Sequence, residues 1–453
     1  MSQYYLLLPE IVLLTLGILS FCYGFIKRVS LHTWALGFIS ITVSLIVALF
    51  SFTYEEFSTG LIRINIYTQI LRLLIYLVGA FILALSYEEF KRGFKNLEEY
   101  IFLLTLAIFG MNIMIFANDL LLLYLSLETF SLSLYILAAF YRNDKLSIEA
   151  GTKYFILGTV SSIILLSSIV FFYAITGSTS YDSFKLIKTG QITSLLALVF
   201  LISAFAFKLS LAPFHAWSPD VYQGAPTPVT AFLSTASKVA VFSAVINIVL
   251  SFSSKETFKD FIVILSVLSM LVGNVLALRQ NNLKRMLAYS SIAHAGYMFM
   301  ALLLPENKII STLIPYLIVY VFMNIGAFAF ILSIREGEKI GSYHGVGRSS
   351  PLLALSILVI MFSLTGIPPT AGFIVKFNLF KDLFSVGYSG LVFFALLMSI
   401  FSAFYYLKVV FYVYKDVSAL NDLPKSYLSQ TISLMSAIFV LIMGIFPNMI
   451  LNF

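Results

Sequence analysis

The sequence predicts an all-α, polytopic membrane protein. Composition, hydropathy and the spacing of apolar runs all lead there. Of 453 residues, 60% are hydrophobic and only 11% charged, against about 25% charged in a typical soluble domain. Mean hydropathy is +0.98. Runs of roughly 20 apolar residues, the length of a spanning helix, follow one another with short polar connections. A soluble fold of this composition would leave large apolar areas in water, so a soluble enzyme is excluded. The hydrocarbon offers no water to backbone amides, so the spans must be helices.

Fourteen candidate helices follow in order, at about 3–26, 31–52, 64–86, 99–117, 119–140, 147–176, 194–216, 227–250, 259–278, 283–304, 308–334, 351–384, 388–414 and 428–451. The first carries Pro9 and Glu10, lacks a basic leader and reads as a full span rather than a cleaved signal. The fifth holds Glu128, the seventh Lys208 and Pro213, the eighth Lys238 and the tenth His294. The twelfth holds Pro368, Pro369 and Lys376. The longest polar stretch, 335–350, is too short for a domain, so 1–453 reads as a single membrane domain.

The net charge of +7 does not point to nucleic acid, because basic residues never run beyond pairs such as Lys284 with Arg285. It reads as a topology signal. Odd-numbered connections hold fifteen Lys and Arg: Lys27, Arg28, Lys91, Arg92, Lys95, Arg142, Lys145, Arg279, Lys284, Arg285, Arg335, Lys339, Arg348, Lys415 and Lys425. Even connections hold seven: Arg63, Lys185, Lys188, Lys255, Lys259, Lys308 and Lys381. That bias puts the odd connections in the cytoplasm and both termini outside. The lone Cys22 excludes a disulfide within the chain, an iron–sulfur cluster and a cysteine zinc site. No phosphate-binding loop or dinucleotide fingerprint is present, so no cofactor or metal is expected on this chain.

Six basic residues fall inside spans: Arg72, Lys153, Lys208, Lys238, Lys376 and Lys408. Among acidic residues, only Glu128 reads as deep. A charge at this depth must face protein or water. Lys153 and Lys408 lie near helix ends and can snorkel to the headgroups. Arg72 has no visible partner. A static ion pair that fixes helix packing is the bland reading of Glu128, Lys208, Lys238 and Lys376. Three lysines and one carboxylate cannot all neutralise one another, which favours a line of movable protons.

Lys208 precedes Pro213 by five residues, and Lys376 follows Pro368 and Pro369 by eight and seven. Proline removes a backbone donor and breaks a helix. Interrupted helices in corresponding halves point to transport sites. Glu128, Lys208 and Lys238 are spaced by 80 and 30, while His294, Lys376 and Lys408 are spaced by 82 and 32. Two five-helix units, about 99–250 and about 259–414, give this offset, and an odd helix number makes them inverted. His294 is deep, as a buried core residue or a relay member. His215 lies in the interrupted stretch, and His32 and His344 read as solvated.

The segments APFHAWSPDVYQGAPTPVTAFLSTASKVAVF (212–242), NNLKRMLAYSSIAHAGYM (281–298) and GIPPTAGFIVKF (366–377) resemble signature stretches of the antiporter-like membrane subunits of respiratory complex I. LLLPEIVLL (6–14) and SLETFSLSLYILAAF (126–140) are most similar to its subunit N branch. The resemblance implies fourteen helices, two inverted five-helix repeats and interrupted helices 7 and 12. It puts Glu128, Lys208, Lys238 and Lys376 at the family's buried charged positions, which read here as a proton relay, with His294 a candidate bridge between the last two. Lysine at 376 departs from subunit M, and the chain's end soon after the fourteenth helix departs from subunit L. The implied partners are the complex's other membrane subunits, antiporter-like and small, and the lipid bilayer. NADH, FMN, iron–sulfur clusters and quinone are expected on other subunits, and the location is a bacterial inner membrane. A multisubunit cation/proton antiporter subunit and an unrelated secondary transporter are the alternatives.

Overall fold

The computed structural model describes residues 4–27, 30–91, 96–187, 191–252, 256–334, 336–415 and 426–451. Of the basic residues used for orientation, Arg28, Arg92, Lys95, Lys188, Lys255, Arg335 and Lys425 lie outside the described residues. The chain divides into two compact units: residues 1–209 with 224–258, and 210–223 with 259–453.

The first unit begins with α1 (Leu8–Lys27) and α2 (Ser30–Phe50). A two-stranded hairpin follows, pairing Phe57 with Ile64 and Ser58 with Arg63. Then come α3 (Ile66–Lys91), α4 (Leu97–Phe116), α5 (Leu120–Ala138), α6 (Lys145–Thr176) and α7 (Ile192–Lys208). Side chains of the residues just ahead set two of the starts. Asp119 accepts from the amides of Leu121 and Leu122 at 2.8 and 3.2 Å, and Asp144 accepts from Leu146 at 3.0 Å. Each satisfies amides that a helix start leaves unpaired. α6 stops at Gly177, whose φ of 69° suits glycine.

α8 (Trp217–Gly224) belongs, but for its last residue, to the second unit. α9 (Thr227–Ser234) and α10 (Ala236–Ser251) return to the first, where α4 packs on α1, α5 and α10. The second unit continues with α11 (Glu256–Ala277), which belongs to it from Lys259 on, α12 (Leu283–Phe299), α13 (Glu306–Leu332), α14 (Val346–Ser349), α15 (Pro351–Thr365), α16 (Ala371–Ser385), α17 (Ser389–Tyr414), α18 (Tyr427–Ile445) and α19 (Asn448–Leu451). α13 packs on α15, α16 and α18. Pro351 opens α15, where its missing N–H costs nothing.

Among the described residues, twelve helical spans are long and apolar enough to cross a membrane. The other two expected segments, 194–216 and 351–384, are each split. α7 ends at Lys208 and α8 starts at Trp217; α15 ends at Thr365 and α16 starts at Ala371. The expected single helix at 227–250 is also irregular, with Thr235 (φ −114°, ψ −80°) separating α9 from α10. Burial sorts the spans by role. Thr227–Ser251 and Leu283–Leu303 are each 94% buried, whereas the window over Tyr5–Lys27 is 33% buried. The spans carrying Lys238 and His294 are therefore enclosed by protein, where a polar group is tolerable.

Candidate functional site

In the first unit, Glu128, Ser131 and Tyr135 recur at intervals of three and four, which puts them on one face of α5. Lys208 is the last residue of α7. Its Nζ donates to Ser131 Oγ at 2.8 Å and to the Tyr135 hydroxyl at 3.2 Å. The ammonium also lies 5.5 Å from the Tyr135 ring centre. Glu128 accepts from Ser162 of α6, and it acts on Lys208 through space rather than by contact. Tyr135 reaches this position because Gly158 has no side chain; a methyl there would collide with its hydroxyl. Ending α7 at Lys208 places a cation where helix carbonyls concentrate partial negative charge. Lys238, 1% exposed, follows the irregular Thr235 by three residues.

The second unit repeats the device with the order reversed. Lys376 of α16 reaches back to the end of α15, donating to the carbonyls of Leu364 at 2.8 Å and Thr365 at 3.0 Å. These carbonyls have no helical partner. Gly366, at φ 91°, ends α15, and a Cβ there would lie 3.1 Å from Lys376 Cδ. The break is tied across by Gly372 N donating to Ser363 Oγ at 3.0 Å. In the other break Ala212 N donates to Ser269 Oγ at 2.9 Å. The peptide bonds preceding Pro213 and Pro369 are cis, and His215 lies beside Pro213 in the first break. His294 Nδ1 lies 3.0 Å from the Tyr316 hydroxyl, and its Nε2 lies 3.3 Å from that of Tyr406.

Three expectations about these residues need correction, the third of them at His344. Glu128 is not alone among deep carboxylates, and Arg72 is not without a partner. Glu10 is 1% exposed and its Oε2 lies 3.8 Å from Arg72 Nη1. The Tyr76 hydroxyl donates to Glu10 Oε1 at 3.2 Å. The signal in the sequence is Glu10, a carboxylate inside the first apolar segment. Lys153 pairs with Glu149 at 2.6 Å on an exposed face, as a snorkelling residue does. Lys408 caps the turn after α11, donating to Gln280 O at 3.0 Å and Asn281 Oδ1 at 2.9 Å. His344 is half-buried, not solvated, with its ring 4.9 Å from that of Tyr412. Among the described residues, no cluster of His, Cys, Asp or Glu is placed to hold a metal ion.

A helical chain of many spans, with lysines at two helix breaks and a carboxylate facing one of them, is a multi-pass membrane protein built around buried ionisable groups. The family model for the membrane region of NADH:quinone oxidoreductases and Mrp antiporters matches residues 117–402. NADH-quinone oxidoreductase subunit N 2 of Thermodesulfovibrio yellowstonii is 66% identical over 453 residues, all of both chains. Subunit N of Trichlorobacter lovleyi is 43% identical over 360 residues, covering 76% of this chain and 73% of that one. A chain of respiratory complex I from Thermus thermophilus with bound aureothin superposes with a TM-score of 0.86 at 31% identity, covering 98% of both. The chain belongs to the NADH:quinone oxidoreductase/Mrp antiporter membrane family and, within it, to the subunit N group. An unrelated secondary transporter is thereby excluded.

Proposed function

We propose that this chain is a proton-translocating membrane subunit of an NADH:quinone oxidoreductase, moving protons through Glu128, Lys208, Lys238, His294 and Lys376. One observation carries the relay. At both helix breaks a buried lysine sits at the negative end of a half-helix, held by hydroxyls or carbonyls and not by a carboxylate in contact. A static ion pair would show the opposite. Such an ammonium is stabilised enough to exist and not so tightly neutralised that its proton is fixed.

The chain's place in a complex follows from Glu128. It is only half-buried on the α5–α6 side of its unit, inside a span. A carboxylate at that depth does not face lipid, so another membrane subunit covers it. Neighbouring antiporter-like and small membrane subunits are the proposed partners. NADH, FMN, iron–sulfur clusters and quinone belong to other subunits, and electron transfer there supplies the driving energy. The bacterial relatives support a bacterial inner membrane, and the basic-residue bias supports both termini outside. The reversed order of lysine and proline at the two breaks supports inverted repeats at about 99–250 and 259–414.

Glu128→Gln keeps the acceptor for Ser162 and removes the charge. It is expected to leave the complex assembled on a native gel. NADH-driven proton pumping should fall by about tenfold or more. Pumping at the parental rate would contradict the assignment of Glu128.

A further inference from the structure

In the first unit α5 presents Glu128, Ser131 and Tyr135 as a ladder, each about one helical turn from the next. The Lys208 ammonium occupies the two rungs away from the carboxylate, 2.8 Å from Ser131 Oγ and 3.2 Å from the Tyr135 hydroxyl. α6 fixes both ends of the ladder. Gly158 faces Tyr135, and a methyl added there would collide with the hydroxyl and the ring. Ser162, one turn further along α6, donates to Glu128. The Tyr135 ring is clamped edge-on by Tyr154, with centres 4.6 Å apart, and by Phe155 at 5.8 Å. Lys208 is 6% exposed and Tyr135 is 4% exposed, so the hydroxyls, and not bulk water, hold the ammonium.

We propose that Tyr135 is a positioning residue that keeps the Lys208 ammonium off the Glu128 carboxylate, with Gly158 making room for its ring. This rests on the reading that Glu128 and Lys208 work as a relay pair. A buried ammonium in contact with a carboxylate is a neutralised pair that holds its proton. An ammonium kept a turn away by neutral hydroxyls still feels the carboxylate, yet its proton stays movable. Ser131 does not choose between the two positions, because it lies one turn from Glu128 and one turn from Tyr135. The second hydroxyl decides it. Ser162 completes the separation by holding the carboxylate on the α6 side.

The test uses the whole complex. Tyr135→Phe keeps the clamped ring and removes the hydroxyl. A cryo-EM map of the assembled variant is expected to show the Lys208 ammonium within hydrogen-bond distance of the Glu128 carboxylate, and NADH-driven pumping should fall several-fold. A tyrosine that only fills space predicts an unmoved Lys208 and parental pumping, and either result overturns the proposal. In a Glu128→Gln background no carboxylate is left to trap the ammonium, so adding Tyr135→Phe should cost nothing further. A multiplied loss there would mean that the hydroxyl acts independently of Glu128, which also overturns the proposal. If Tyr135→Phe does not assemble, Gly158→Ala, which pushes the ring from its place, carries the same expectations and the same refutations. Lys208→Ala in parallel separates the two ideas. Loss of pumping in Lys208→Ala with parental behaviour in Tyr135→Phe removes the spacer alone, whereas normal pumping in Lys208→Ala removes the relay beneath it.

Discussion

Lys208→Ala is expected to leave the complex assembled while lowering proton pumping and coupled quinone reduction by about tenfold or more. The structural cost is small for a buried lysine. Its two partners, Ser131 and Tyr135, are neutral hydroxyls, so no buried charge is left in contact with the gap. The functional cost is large because the carboxylate–ammonium coupling is lost. At an effective dielectric of 20 that coupling is about 4 kcal/mol at 4 Å, and about 2 kcal/mol at twice the distance. Moving one charge across 100 mV takes about 2.3 kcal/mol. At the longer distance the coupling falls just short of that step, so Glu128 lowers the cost of moving one proton without covering the whole of it. Pumping by membrane vesicles, with assembly read on a native gel, checks this. An assembled, normally pumping Lys208→Ala would remove the relay, and failed assembly would favour a packing role.

Arg72→Ala acts on the other property, stability. Its guanidinium is fully buried, donates to Leu6 O at 2.8 Å and Ser51 Oγ at 3.3 Å, and lies 5.5 Å from the Phe116 ring centre. It thus ties α1, α2, α3 and α4 together. Removing it strands the Glu10 carboxylate, which costs about 3–5 kcal/mol for a broken buried pair. The amount of assembled complex should fall sharply, while pumping per assembled complex stays normal. Replacing both charges, Glu10→Leu with Arg72→Leu, should recover most of the assembly, because two apolar groups leave no charge to solvate. Parental levels of assembled Arg72→Ala would show that the pair does not hold these helices.

Much of this was legible in the sequence, for identifiable reasons. Apolar runs announce spans because the bilayer sets their length. Pro213, Pro368 and Pro369 announce the breaks because they remove backbone donors. Buried lysines stand out because so few charges fall inside spans. What stayed hidden is what sequence spacing does not encode. The Glu10–Arg72 pair joins residues from different helices, and neither position names the other. Ser131, Tyr135 and Ser162 look like ordinary polar residues of membrane helices until α6 and α7 are packed against α5. Lys376 is held by backbone carbonyls, which have no side-chain signature. The irregular turn at Thr235 carries no glycine or proline of its own, so 227–250 read as one helix.

Lys238 is the strictest test of the central claim that buried ionisable groups carry protons through this chain. It is 1% exposed within a span that is 94% buried. The measurement is proton pumping and NADH-driven quinone reduction in membranes carrying Lys238→Ala. The expected result is an assembled complex with pumping lost and quinone reduction strongly reduced. An assembled complex that moves the parental number of protons per electron would contradict the account.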